Sequence, residues 1–192
     1  MNRLLLIVSV IPVIIVLRYI YKADQNKEPV KLLIKAFFCG MLAIPLTLLL
    51  VGIVNAVWTS DSVFYNAFAE AGIPEELAKF AVLYLLIWKS EEFDEYFDGI
   101  VYAVFVSMGF ACVENVMYVF GGETAEAAFS IAFVRALFSI PGHALFAIAM
   151  GFFFALAKLG KPELRAVNII LCLIVPMALH GTFDWQIGRA HV

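Results

Sequence analysis

Three observations predict an all-α fold, a polytopic transmembrane helix bundle of about six to seven membrane segments. First, 64% of the 192 residues are hydrophobic and the mean hydropathy is +0.94. A soluble domain is about 45–50% apolar, so the solvent for this much apolar surface is lipid. Second, apolar runs recur at the ~20 residues a helix needs to cross a hydrocarbon core. Third, among the connections between those runs, lysine and arginine occur only in alternate ones. No linker, low-complexity stretch or internal repeat marks a second unit, so residues 1–186 read as a single membrane domain.

The runs predict helices at 4–21, 32–57, 74–89, 99–120, 126–157 and 166–186. The first resembles a signal peptide, but no small-x-small site follows it, and it reads as a retained helix. Pro12, Pro45 and Pro176 lie inside runs and predict kinks. The 126–157 run is long for one span. Pro141-Gly142 is expected to divide it into a short or re-entrant helix and a second helix at 142–157. Phe93, Tyr96 and Phe97 in the acidic Ser90–Asp98 connection suit an interfacial helix. Cys39, Cys112 and Cys172 lie in apolar runs at unrelated spacings and read as small core residues. The end, Ile187-Gly188-Arg189-Ala190-His191-Val192, reads as one frame of a sequencing adapter. The protein is therefore expected to continue past Gln186 in its natural form, with no role for His191.

Orientation follows from the basic residues. Arg18, Lys22, Lys27, Lys31 and Lys35 flank one connection, and Lys158, Lys161 and Arg165 another, which sets both in the cytoplasm. The 58–73 and 121–126 connections carry no lysine or arginine and fall outside. The N-terminus is then outside as well. The net charge of -3 and the lack of a basic stripe argue against a nucleic-acid partner.

Ionisable residues in a span are costly, about 2.5–3.5 kcal/mol each at its centre, and mark function or structural pairing. Glu75, Glu76 and Lys79 share one turn. Lys79 is four residues from Glu75 and three from Glu76, so it can reach either acid. Pro74 suits the first helical turn. Phe110, Glu114 and Tyr118 form a second stripe at helical spacing. His180 and Asp184 are four apart, so Asp184 can orient the imidazole. Counted from the cytoplasmic ends, Glu75, Glu114, His143 and His180 each lie about 14–15 residues in, hence roughly 21–23 Å above the inner boundary. Acids and imidazoles of separate helices thus share one level in the outer half. Each motif also has a plainer reading. The Glu75 turn can be a solvated helix start, His143 a hydrogen-bonder at a helix break, and Asp184 a boundary residue. Arg135 is expected to pair an acid or to snorkel.

These motifs resemble the PrsW family of bacterial intramembrane proteases, relatives of the CAAX prenyl endopeptidases and bacteriocin-processing proteins. The matching residues are Glu75, Glu76 and Lys79 (EExxK); Phe110 and Glu114 followed by Asn115 and Tyr118; Arg135 followed by His143; and His180 with Asp184 (HxxxD). Asp98 and Tyr102 fit the segment entering the second motif. The resemblance spans about residues 70 to 186. It implies cleavage of membrane-anchored, anti-sigma-factor-like proteins on the extracytoplasmic side of the bacterial cell membrane.

The chemistry expected is glutamate-type hydrolysis. Glu75 or Glu76 takes a proton from water, and His180, held by Asp184, stabilises the oxyanion or protonates the leaving amine. Glu114 and His143 complete the pocket. Lys79 holds a carboxylate charged and placed, with Asn115, Tyr118 and Arg135 in support. No cofactor is needed on this reading. Two other classes stay open: a zinc-dependent hydrolase, since two His and carboxylates can hold the ion, and a proton-coupled transporter or binding scaffold. No GxSx, GxGD or HExxH pattern is present.

Overall fold

A computed structural model describes the backbone of residues 2–190 and the side chains of residues 3–187. Its elements are α1 (Asn2–Ala23), α2 (Val30–Met41), α3 (Ala43–Val57), α4 (Val63–Tyr65), a π-helical segment (Asn66–Gly72), and α5 (Ile73–Ile87). There follow α6 (Tyr96–Phe120), α7 (Ala125–Val134), a second π-helical segment (Arg135–Ser139), α8 (Ile140–Leu159), a 3-10 turn (Pro162–Leu164) and α9 (Arg165–Ala190). No strand occurs among the described residues. Of the suspected adapter, His191 and Val192 lie outside the described residues, as do the side chains from Gly188 on.

Five runs among the described residues are long and apolar enough to cross a membrane: Arg3–Ala23, Val30–Val57, Tyr96–Phe120, Ala125–Leu159 and Pro162–Ile187. The sixth expected segment lies in the helical stretch 63–87, which carries Glu70, Glu75, Glu76 and Lys79. The broad apolar outer surface, with residues such as Ile15, Leu49 and Leu85 well exposed, is what a chain dissolved in lipid presents.

Prolines shape these runs in two ways. Pro45 has no N–H for the Met41 carbonyl and its ring crowds that turn, so the run breaks at Leu42 into α2 and α3. Pro12 and Pro176 stay inside continuous helices. The expected division at Pro141-Gly142 does not occur. The chain runs helically from 125 to 159, and the strain is taken up one turn earlier by the π-helical Arg135–Ser139. The wider π turn accommodates a proline that cannot donate to the Leu137 carbonyl. Pro74 repeats the pattern, following the π-helical Asn66–Gly72.

α6 is the buried axis of the bundle, packed by α8, α2, α1 and α5. Its crossing with α8 is set by Gly99 and Gly151: a methyl group on Gly99 would lie 2.6 Å from the Gly151 carbonyl oxygen. Small residues that let helix backbones touch are the usual basis of packing in lipid, where apolar burial gives no drive. The three lysine-bearing connections meet at one end. Asn26 donates to Glu95, Lys158 Nζ to the Ser90 carbonyl (2.8 Å), and Tyr96 to the Leu159 carbonyl (3.2 Å). Residues 88–95 form turns rather than the expected interfacial helix. Phe93 is buried there and stacks on Phe154 with ring centroids 5.4 Å apart, because the adjoining ends of α6 and α8 offer it a dry seat.

Cys112 and Cys172 are buried and Cys39 is half-buried, and all three are free. Asp98 and Tyr102 belong to this lysine-bearing end. Asp98 accepts the backbone N–H groups of Asp94 (3.1 Å) and Glu95 (2.7 Å) at the start of α6, and Tyr102 donates to Glu28.

Candidate functional site

α5, α6, α8 and α9 converge on one polar layer, away from the lysine-bearing connections. Pro74, at the first turn of α5, sets Glu75 and Glu76 at that helix's N-terminus, where the helix dipole favours anions. Pro141 stands two residues before His143, and Pro176 four residues before His180. α9 reaches the layer because Gly181 meets Gly72 backbone to backbone. A methyl group on Gly72 would lie 2.8 Å from the Gly181 nitrogen.

Lys79 stands in the middle. Its Nζ donates to Glu76 Oε1 at 2.8 Å and Glu75 Oε2 at 3.1 Å, lies 3.2 Å from His143 Nδ1, and sits over the Phe110 ring at 4.1 Å. An ammonium has only donors, so His143 Nδ1 is its acceptor, and the ring's N–H is on Nε2. That Nε2 bonds Glu114 Oε2 at 2.8 Å. His180 is placed differently. Its Nδ1 bonds Glu76 Oε1 at 2.8 Å, and its Nε2 faces Asp184 Oδ2 at 3.3 Å and Glu75 Oε2 at 3.8 Å. Carboxylates at both nitrogens call for an N–H on each, so the ring is an imidazolium or shares a proton with an acid. Phe146 stacks on it with ring centroids 4.8 Å apart.

Arg135 closes the layer. It donates to Glu114 Oε2 and Asn115 Oδ1, both at 2.8 Å, and its guanidinium lies 4.3 Å from the Tyr118 ring centroid. Asn115 in turn donates to the Ser9 carbonyl of α1. Four carboxylates thus face two fixed cations and one imidazolium, leaving one negative charge in excess. Uncompensated charge is costly at this depth. Among the described residues, Glu114 and Glu76 each have two close partners, whereas Glu75 leans on Lys79 alone within 3.5 Å.

Glu75 is also the member of the acid pair that meets open space. It lines both an inner cavity of about 290 Å³ with Glu114, His143, His180 and Asp184, and an adjoining one of about 600 Å³. Glu76 lines neither, is 1% exposed, and its Oε2 has no hydrogen-bond partner among the described residues.

All ten candidate site residues fall in or against this layer, with Asn115, Tyr118 and Arg135 as its props, whereas Asp98 and Tyr102 lie at the opposite end of α6. Sequence reasoning missed Phe146, Gly72, Gly181 and Ser107, whose hydroxyl donates to the His143 carbonyl at 3.0 Å. None carries a charge or a spacing signal, because their roles exist only across helices. The division of labour between Glu75 and Glu76 was also illegible, since adjacent acids differ only in the face they present.

A metal site is geometrically within reach. One ligand atom each from Glu75, Glu76, His143 and His180 fall within 4.8 Å of one another. The donor types suit zinc, and Glu114 and Asp184 back the imidazoles as outer carboxylates do at zinc sites. However, the Lys79 ammonium already lies within 3.2 Å of three of the four residues. A cation bound here has to displace it.

Residues 28–191 match the family described as PrsW family intramembrane metalloprotease. Protease PrsW of Oceanobacillus iheyensis is 34% identical over 177 residues, covering 92% of this chain and 80% of that protein. Protease PrsW of Bacillus subtilis is 33% identical over 178 residues (92% and 79%), and that of Clostridioides difficile 33% over 186 residues (94% and 78%). No solved structure matches significantly.

Proposed function

The chain belongs to the PrsW family of intramembrane proteases, and from that premise we propose that it cuts single-pass membrane proteins with water activated by Glu75. The observation that carries this reading is the position of Glu75: it is the acid of the EExxK turn that lines the cavities while contacting the cationic core of the layer. A water held between Glu75 and His180 gives its proton to the Glu75 carboxylate as its oxygen bonds the scissile carbonyl carbon. The oxyanion that forms takes over the His180 Nε2–H from Asp184, its longer partner at 3.3 Å, while Nδ1–H stays on Glu76 and holds the ring. The proton on Glu75 then passes to the leaving amide nitrogen, the C–N bond breaks, and a carboxylic acid and an amine result, the acid's remaining proton passing on to the amine. Glu76 stays behind as the fixed anion for Lys79 and His180. Glu114, His143 and Arg135 form the opposite wall.

The natural substrate on this reading is a membrane-anchored, anti-sigma-factor-like protein cut near the outer face of a bacterial cell membrane. Support comes from the layer's position, at the end of the bundle away from the lysine-bearing connections. Co-expression with tagged single-pass membrane proteins tests it. Clipping outside the inner leaflet is expected with the wild type and is expected to fall at least ~100-fold in Glu75→Gln and His180→Ala, as for removal of a general base or oxyanion donor. Clipping that persists in both variants overturns the assignment.

The four-ligand cluster favours a second reading, with zinc held by Glu75, Glu76, His143 and His180. When bound, such an ion acts as a Lewis acid and lowers the pKa of a water ligand. The two readings part at Lys79. Without metal, Lys79→Met removes the cation that organises both acids and ends cleavage. With metal, Lys79→Met removes a competitor, and stoichiometric zinc in the purified variant is the expected readout.

A further inference from the structure

Arg135 is held more firmly than a charge partner for Glu114 requires. It opens the π-helical Arg135–Ser139, and such turns recur where a side chain must be re-aimed. Its Nε donates to Asn115 Oδ1 and its Nη2 to Glu114 Oε2, both at 2.8 Å, and the guanidinium lies over the Tyr118 ring. Asn115 is 0% exposed and is itself fixed, because its Nδ2 donates to the Ser9 carbonyl of α1 at 2.6 Å. An arginine N–H only donates and a carbonyl only accepts, so both contacts demand the same orientation of the amide. A lysine would neutralise Glu114 without these supports, and immobilising so long a side chain is entropically costly. The remaining nitrogen, Nη1, makes no hydrogen bond among the described residues and is not sealed from open space. Arg135 lines the inner cavity of about 290 Å³ with Glu75, Glu114, His180 and Asp184, whereas Lys79 does not line it. With Nε and Nη2 turned to Asn115 and Glu114, Nη1 is the edge left for that cavity.

We propose that Arg135 is a substrate-binding residue: its free Nη1 edge grips a backbone carbonyl flanking the scissile bond, and Asn115, anchored on α1, positions it. The inference rests on the hydrolytic reading above and adds what holds the substrate beside Glu75. A peptide brings both N–H and C=O groups into the site. The three carboxylates of the cavity offer its N–H groups acceptors in surplus. Donors for its carbonyls are fewer, and His180 is committed to the oxyanion. A carbonyl also suits the place better than a carboxylate, because Glu75, Glu114 and Asp184 repel an added anion. Such a grip is indifferent to the substrate's side chains.

The test uses full-length protein carrying Glu75→Gln, in nanodiscs, and a dansylated peptide of one Leu-Ala transmembrane segment with a short Gly-Ser tail. Saturable binding is expected, read by energy transfer from the protein's tryptophans, and its absence overturns the grip. Arg135→Lys should weaken binding about ten- to 100-fold, as for loss of a hydrogen bond from a charged group. Lysine keeps a cation for Glu114, so equal binding by Arg135→Lys shows a structural ion pair only and overturns the grip. Asn115→Leu should weaken binding to the same extent and add nothing in the Arg135→Lys background, since it acts through that side chain. Additive losses overturn the positioning by Asn115. A tail carrying Asp that binds about tenfold tighter than one carrying Asn marks a carboxylate site and overturns the carbonyl reading. With Glu75 intact, Arg135→Lys should raise KM with kcat little changed. Binding needs no hydrolysis, so the two ideas fail separately. Arg135-dependent capture by a protein that cuts nothing defeats the hydrolytic reading alone. Cutting with KM unchanged in Arg135→Lys defeats the grip alone.

Discussion

An ammonium group that is 1% exposed, as in Lys79, persists in a bilayer because three neighbours within 3.2 Å and an aromatic face take the place of water. Removing such a cation strands two carboxylates. Lys79→Met is expected to lower stability by about 3–5 kcal/mol, the cost of breaking a buried pair, as measured by thermal unfolding in detergent. Lys79→Arg should keep more of that stability than of the activity, because a guanidinium does not fit a lysine's point-charge seat. A second consequence lies at the lysine-bearing end, in the 24–29 connection. Burial, aided by the neighbouring Asp98 carboxylate and opposed by the Tyr102 hydrogen bond, pushes Glu28 up to about 7 from 4.5. The folded state therefore binds a proton that the unfolded state has already lost between pH ~4.5 and ~7, so stability falls as pH rises through that window. Glu28→Gln, which keeps an acceptor for Tyr102, should flatten that slope and stabilise the protein above pH 7 in unfolding measured against pH.

Proline and glycine do their work at the scale of elements. Each of the three helices that contribute a histidine or the glutamate pair has a proline one to four residues before the site residue, and two of those prolines follow a π-helical turn. A π turn inserts a residue into the helical register and so re-aims the side chains beyond it. Gly72 and Gly181 then bring α9 close enough for His180 to bond Glu76. Gly72→Val should push α9 outward and cut cleavage more than about tenfold, because ångström-scale misplacement is costly to catalysis. Unfolding should remain cooperative, which separates the effect from loss of fold. The helix runs themselves were legible in the apolar periodicity. The break at Leu42 and the continuity through Pro141-Gly142 were not. Both depend on how neighbouring turns absorb a missing N–H, and the sequence carries only the proline.

For the whole molecule, the lysine-rich connections come together at one end and the polar layer lies toward the other. The orientation argued from charge assigns the first end to the cytoplasm. In intact cells Glu123→Cys should react with an impermeant maleimide, and Glu163→Cys only after permeabilisation. The reverse result would put the site on the cytoplasmic side and contradict an extracytoplasmic cut.

Solvent and candidate chemistry were determined by the sequence alone. Composition demanded lipid, and four motifs at helical spacing supplied acids, imidazoles and a lysine at matching depth, because helical rise converts residue number directly into height. Rotation and distance between helices have no such rule. Only the tertiary structure decided that Glu75 rather than Glu76 faces the cavity, that Lys79 occupies the centre of the donor set, and that Asn115 ties Arg135 to α1. Those facts arise from backbone contacts at small residues and from π turns beside prolines, where single-residue shifts in register set the direction in which each side chain points.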